Sequence, residues 1–185
     1  MSTPPSLPPE IWTTLTGPID ADMVRRVFAA GQIAVNGGVK KLHLLIHSSG
    51  GTVGDAIALY NFLRSLPMEV ITYNAGSVLS AAVITYLAGK VRKVSKAATF
   101  MIHKSTLTLP APTTAERLKM SAEGLLIEDA RSEAVLREHL RLPSKSWKIH
   151  QRGELILTAG ESIKIGLAHE IGDWAPPSGA RLFSI

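Results

Sequence analysis

The chain has 185 residues, with 20 Lys and Arg against 15 Asp and Glu, so its formal net charge is +5. The length favours one domain, and the absence of cysteine excludes a disulfide scaffold, a thiolate zinc site and a cysteine nucleophile. No apolar run approaches the roughly 20 residues that span a bilayer, and no signal peptide is visible, so we expect a cytoplasmic protein that does not bind a membrane. No aromatic residue accompanies the basic stretch 90–96, so we do not expect binding of nucleic acid.

Strands and helices alternate along the predicted chain, after an irregular, proline-rich segment at residues 1–10. Apolar residues at helical spacing predict helices over 20–35, 53–66, 80–88, 114–140, 144–150 and 160–168. Apolar and β-branched runs predict strands over 41–47, 69–74, 91–94 and 98–103. Asp20 is the expected N-cap of the first helix, and Gly37-Gly38 is its expected end.

This alternation predicts βαβ crossovers and a mainly parallel sheet. Ligands of such sheets bind beyond the carboxyl ends of the strands. The segments Ser48–Gly51, Ala75–Ser80 and His103-Lys104 all lie at such ends. We therefore expect these segments to meet in space.

Ser80 and His103 are the residues in these segments that could carry chemistry. A serine hydroxyl at the start of a helix lies near backbone amides, but it is also an ordinary helix cap. A histidine at a strand end usually makes structural hydrogen bonds, and it could act as a base only if the serine were adjacent to it. Gly50 and Gly51 are either a simple turn or a place where a peptide approaches main-chain amides.

The histidine pattern does not predict a metal site. His43 and His47 share a strand face, but at 3.3 Å per residue they lie about 13 Å apart. The sequence also contains no HExxH motif or comparable carboxylate pattern.

Taken together, the ordered motifs of the chain resemble the proteolytic subunit of the Clp protease. LTGPID resembles the entry strand and turn of that family, and LHLLIHSSGG resembles a strand that ends in Asn-Ser-Pro-Gly-Gly. AGSVLSAA is similar to the segment that holds the nucleophile, and FMIHKS is similar to the segment that holds the base. ILTAGESIKIGLAHEIGD is similar to the family's C-terminal motif. In sequence order, these motifs cover residues 15–20, 42–51, 75–82, 100–105 and 156–173.

The resemblance implies an α/β fold of the crotonase and Clp protease type, a repeated ββα spiral with a projecting handle helix. It implies one domain over residues 1–185. The expected parts are an N-terminal arm (1–14), a head (15–110 and 141–175) and the handle helix (111–140).

The resemblance also implies a serine endopeptidase that cleaves peptides or unfolded polypeptides inside an oligomeric chamber. In that reading Ser80 is the nucleophile, His103 the base, and Glu154 the acid in place of the family's Asp. The amides of Gly51 and Ala81 would form the oxyanion hole. No metal and no cofactor would be held by this chain.

The implied assembly is a homo-oligomer of seven-membered rings, stacked in pairs as a tetradecamer. An ATPase unfoldase is the implied partner, although few residues precede Leu15, where the family has gating loops. The glycine-rich strand that follows the family's base is replaced here by Thr106-Leu-Thr-Leu-Pro110. Because of this change, and because Glu154 replaces the family's Asp, an inactive scaffolding subunit remains an alternative. An acyl-CoA enzyme of the same superfold and a membrane peptidase with a Ser–Lys dyad are the remaining alternatives, against which His103 argues.

Overall fold

One mixed sheet organises the part of the chain that the computed structural model describes, residues 7–150 and 153–185. Its strands are β1 (Glu10–Thr16), β2 (Lys41–Ser48), β3 (Glu69–Leu79), β4 (Val91–Val94), β5 (Thr99–Ile102), β6 (Leu155–Thr158), β7 (Glu170–Ile171) and β8 (Leu182–Ser184). The helices are α1 (Ala21–Asn36), α2 (Val53–Ser65), α3 (Ala82–Tyr86), α4 (Ala115–His139), α5 (Ser144–His150) and α6 (Ala159–Lys164). The predicted α/β class is confirmed.

The strand order is β6-β5-β3-β2-β1-β8, and β4 pairs with both β3 and β7. All of these pairs are parallel except β5 with β6. The long strand β3 has two successive partners on one edge, because residues 71–74 pair with β4 and residues 77–79 pair with β5. The carboxyl ends of β2, β3 and β5 therefore lie side by side.

The sheet separates a large core from a small one. Side chains alternate along β2, so Leu42, Leu44 and Ile46 are buried in the large core, which also contains residues of α1, α2 and α3. Trp12, Ile71 and Tyr73 form the small core, with Trp174 packed against them. Burial of apolar surface on both faces is the main favourable contribution to the stability of this layered arrangement.

Helix α1 agrees with its prediction. Oδ1 of Asp20 accepts a hydrogen bond from the amide of Met23 at 2.9 Å, and Gly37 is the C-cap. The predicted strand 69–74 is too short, because the ladder to β5 extends β3 to Leu79. The predicted helices 80–88 and 160–168 are too long. The first spans only Ala82–Tyr86, and the second ends before Gly166, whose φ of 82° is left-handed.

Part of the predicted N-terminal arm is a strand of the sheet. Residues 1–6 lie outside the described residues, but residues 10–14 belong to β1, which pairs with β2 from Glu10 onward. Ile11 and Trp12 are buried on opposite faces of the sheet. Pairing and two-sided burial explain why this segment is ordered, so the predicted end of the N-terminal arm at residue 14 is wrong.

Helix α4 is the predicted handle, and it is mostly exposed. It starts at the N-cap Thr114, and its buried side chain is Leu136, close to its C-terminal end. Large apolar residues are exposed along the rest of it, namely Leu118, Met120, Leu126 and Ile127. Among the described residues, no helix is both long enough and apolar enough to cross a bilayer.

Candidate active site

Ser80 and His103 meet at the edge of the sheet where β3 and β5 end. Oγ of Ser80 lies 2.7 Å from Nε2 of His103, which is hydrogen-bond distance. When the proton of the ring is on Nδ1, the serine hydroxyl donates this hydrogen bond and the ring nitrogen accepts it. The arrangement therefore satisfies the first geometric requirement for a serine that is activated by a base.

The backbone of Ser80 is held in an unusual conformation. Its φ is 55°, and among the described residues it is the one non-glycine residue with a positive φ. Its amide donates a hydrogen bond to the carbonyl of Met101 at 2.7 Å, which fixes the residue against β5. A left-handed serine costs on the order of 1–3 kcal/mol, and such strain is concentrated at functional sites. The prediction that Ser80 opens a helix is wrong, because α3 begins two residues later, at Ala82.

Gly50 and Gly51 pass so close to their neighbours that a side chain would not fit at either position. A Cβ atom on Gly50 would lie 2.6 Å from Cβ of Ser80 and 3.1 Å from its Oγ. A Cβ atom on Gly51 would collide with the backbone of Ile19, with which Gly51 forms a β-bridge. Both glycines also have left-handed φ angles, 102° and 156°. Gly50 therefore lets the turn after β2 approach the nucleophile, and Gly51 lets the same turn pair with Ile19.

Gly51 and Ala81 line the same cavity as Ser80. Among the described residues, neither amide donates a hydrogen bond to another part of the chain. Backbone donors beside a nucleophile are what a tetrahedral oxyanion requires.

Glu154 is not joined to His103. The last residue pair of the antiparallel ladder between β5 and β6 is Ile102 with Leu155. One step further in the same register, His103 faces Glu154. The Glu154 side chain is nevertheless exposed, it lies beside Lys145 and Lys148, and no hydrogen bond joins it to His103 within the described residues.

Two carboxylates of α4 hold the segment that follows His103. Oδ1 of Asp129 accepts a hydrogen bond from the amide of Ser105 at 2.7 Å. Oε2 of Glu133 lies 3.1 Å from Nζ of Lys104, which places an ion pair one residue after the histidine. These contacts are not predictable from the sequence, because they depend on how α4 packs against the end of β5.

A cavity of about 530 Å³ opens in front of Ser80 and His103. One wall is a stripe of α4 that was not among the predicted site residues. The spacing of three and four residues along one helical face was the available signal. The residues of this stripe are Leu125, Glu128, Ser132 and Leu136.

His43, which lies away from the cavity, has structural partners. His43 stacks on Trp12 with ring centroids 3.8 Å apart, and its Nδ1 lies 2.8 Å from the hydroxyl of Tyr73. Burial lowers the pKa of His43. Within the described residues there is no group of three or more side chains that could hold a metal ion.

A family model described as Clp protease matches residues 8–174 of the chain. The match includes Ser80, His103, Glu154 and both glycines of the turn after β2. The comparison with curated proteins gave no match.

Proposed function

The chain belongs to the Clp protease family, and from this premise we propose that it is a serine endopeptidase that uses Ser80 and His103 to cleave peptides or unfolded polypeptides. Family membership supports a peptidase in general. The specific proposal rests on one observation, the 2.7 Å separation of the Ser80 hydroxyl and the His103 ring.

In the proposed first half-reaction, Oγ of Ser80 attacks the carbonyl carbon of the scissile bond. Nε2 of His103 takes the hydroxyl proton, and the amides of Gly51 and Ala81 stabilise the oxyanion. When the C–N bond breaks, His103 transfers this proton to the leaving amine. The products of this step are a free amine and an acyl ester on Ser80.

In the second half-reaction, a water molecule gives a proton to His103 and attacks the ester carbonyl. The C–O bond to Ser80 then breaks, and His103 returns the proton to the serine oxygen. Glu154 completes the proposed site as the acceptor for the Nδ1 proton of His103. The register of β5 and β6, which sets Glu154 opposite His103, supports this role and requires that the exposed side chain turn inward.

The proposed assembly is a set of stacked seven-membered rings that enclose the active sites. The exposed apolar side chains of α4 support contact between subunits, because large apolar groups in solvent favour an interface. An ATPase unfoldase is the proposed partner that supplies unfolded substrate, and no cofactor is proposed for the chain itself.

Hydrolysis of fluorogenic peptides and labelling by a fluorophosphonate test the proposal. We expect the natural protein to hydrolyse the peptides and to be labelled, and we expect Ser80→Ala to do neither. Ser65→Ala is the matched control, because Ser65 is an exposed serine at the end of α2, away from the cavity. Hydrolysis that survives in Ser80→Ala would contradict the assignment of the nucleophile.

An inactive scaffolding subunit is the second candidate function, and the exposed position of Glu154 favours it. An assembled protein whose Ser80 does not react with the fluorophosphonate would support this alternative.

A further inference from the structure

We infer that the cavity in front of Ser80 selects peptides that carry a lysine or arginine side chain next to the scissile bond, with Glu128 as the residue that recognises the positive charge. This inference rests on the proposed peptidase function and adds a substrate class to it. It follows from the position, the charge and the hydrogen bonding of Glu128.

Glu128 and the nucleophile border the same space. Both line the cavity of about 530 Å³, and Glu128 reaches it from the face of α4 that also carries Leu125 and Ser132. The other end of this stripe, Leu136, is buried in the large core, so this face of the helix is fixed to the body of the protein. A side chain next to the bond that Ser80 attacks would therefore enter the space that Glu128 borders.

The charges that line the cavity have one sign, although the chain as a whole has a net charge of +5. Asp20 and Glu128 line it, and no Lys or Arg does so among the described residues. Asp20 also caps α1, whereas the carboxylate of Glu128 is joined, among the described residues, only to the exposed side chain of Arg131. The concave surface is thus acidic in a basic protein, which favours a cationic group.

One carboxylate oxygen of Glu128 lacks a partner. Oε1 lies 2.7 Å from a guanidinium nitrogen of Arg131, and both side chains are partly exposed, so this ion pair contributes little. Oε2 is buried and has no hydrogen-bond partner within the described residues. A buried acceptor that is left unsatisfied costs free energy. Oε2 is covered in this side-chain conformation, so Glu128 must turn toward the cavity before an ammonium or guanidinium group of a substrate forms a charge-assisted hydrogen bond with this oxygen.

The rest of the cavity suits the stem of a long cationic side chain. Apolar residues from three elements line it, namely Ile84, Ile102, Leu125 and Leu136. Lysine and arginine cover apolar surface with their methylene groups and place the charge at the tip. A norleucine side chain would make the same apolar contacts and leave Oε2 of Glu128 without a partner.

The test measures binding without catalysis. Two short fluorescent peptides of neutral residues, one with a central lysine and one with norleucine in its place, are titrated against Ser80→Ala by fluorescence anisotropy. We expect the lysine peptide to bind about tenfold more tightly, the size typical of one charge-assisted hydrogen bond. In Ser80→Ala with Glu128→Gln the difference should fall below about twofold.

Glu123→Gln in the same Ser80→Ala background is the matched control, because Glu123 is exposed on α4 and does not line the cavity. It should keep the preference for lysine. Equal binding of the two peptides, a preference that survives Glu128→Gln, or no binding of either peptide would overturn the inference. Fluorophosphonate labelling of Ser80 in the natural protein reports separately on the peptidase, so the two failures are distinguishable. Where peptides are cleaved, the new ends should lie next to lysine or arginine.

Discussion

Gly50 lies so close to Ser80 that a methyl group on its α-carbon would come within 2.6 Å of the serine Cβ and 3.1 Å of its Oγ. Gly50→Ala should therefore displace the nucleophile as well as strain a backbone with a φ of 102°. We expect peptide hydrolysis and fluorophosphonate labelling to fall at least tenfold, with a loss of about 1–3 kcal/mol in the free energy of unfolding.

Gly124→Ala is the control for this variant, because Gly124 is on α4 and a Cβ atom added there would have no neighbour within 4 Å. It should keep activity and gain up to about 1 kcal/mol of stability. Full activity in Gly50→Ala would contradict this account.

Glu154→Gln tests the third member of the proposed site. If Glu154 turns inward and accepts the Nδ1 proton of His103, its loss removes the group that fixes the tautomer and stabilises the charged ring. We expect kcat to fall by at least about 100-fold, against the roughly 10⁴-fold loss seen when the acid of a serine protease triad is neutralised. Glu123→Gln should have no effect on kcat. Unchanged kinetics in Glu154→Gln would mean that His103 is oriented without this carboxylate.

Asp129 is expected to position His103 through the backbone that follows it. Its carboxylate accepts the Ser105 amide, so Asp129→Ala leaves that donor without its partner. We expect kcat to fall several-fold with little change in KM. Asp129→Asn should retain most of the activity, because its amide oxygen can still accept this hydrogen bond. Similar losses of kcat in both variants would show that His103 is positioned by the negative charge of Asp129 and not by its hydrogen bond to Ser105.

Stability should decrease when the pH falls below about 6.5, the ordinary pKa of histidine. Burial lowers the pKa of four histidines in the folded protein: His43, His139, His150 and His169. A lowered folded-state pKa means that the unfolded chain binds protons first, so this stability is complete above pH 6.5 and is lost as the pH falls through the folded-state values.

Urea unfolding at pH 8, 7, 6 and 5 measures this loss at constant ionic strength. The free energy of unfolding should fall by up to about 1.4 kcal/mol per pH unit for each extra proton that the unfolded chain binds. Carboxylates such as Glu133, whose pKa is lowered, become protonated only in more acidic solution. His150→Gln should give a shallower dependence. A flat profile between pH 7 and pH 5 would exclude a contribution from the buried histidines.

Ile127→Asp should weaken the proposed assembly. Ile127 is 60% exposed on α4, where it is one of several large apolar side chains in solvent. A carboxylate in an apolar interface must be desolvated without a partner, so we expect smaller particles by light scattering at micromolar concentration. Lys119→Asp changes an exposed polar position of the same helix and should have a weaker effect. An unchanged particle mass in Ile127→Asp would remove this face of α4 from the interface.

Local signals were sufficient for much of the fold. The helical spacing that follows Asp20 and the glycines that follow α1 predicted both ends of that helix, because caps act within one turn. The end of β3 was not predictable in this way. Residues 75–79 include Ala75 and Gly76, which are poor strand formers, and they are extended because β5 offers a ladder.

The candidate site was also predictable in part. The pairing of Ser80 with His103 followed from strand ends that meet at one edge of a parallel sheet. The conformation of Glu154 did not follow, because register fixes the backbone and leaves a side chain at a strand end free to turn to solvent. Glu128 was missed because its significance depends on the packing of α4 over the cavity, which is a tertiary contact.

The change of partner along β3 limits where this chain can tolerate insertions and deletions. Asn74 lies at the changeover, and its side-chain amide donates to the carbonyl of Thr99 while its Oδ1 accepts from the amide of Gly76. A deletion of one residue between Asn74 and Ser80 would keep the ladder to β4, but it would turn the following side chains to the other face of the sheet. The nucleophile would then point away from His103. The number of residues between the changeover and Ser80 should therefore be constant among active relatives, whereas the irregular segment between β5 and α4 is free to vary in length only after Leu107, the last of its residues that lines the cavity.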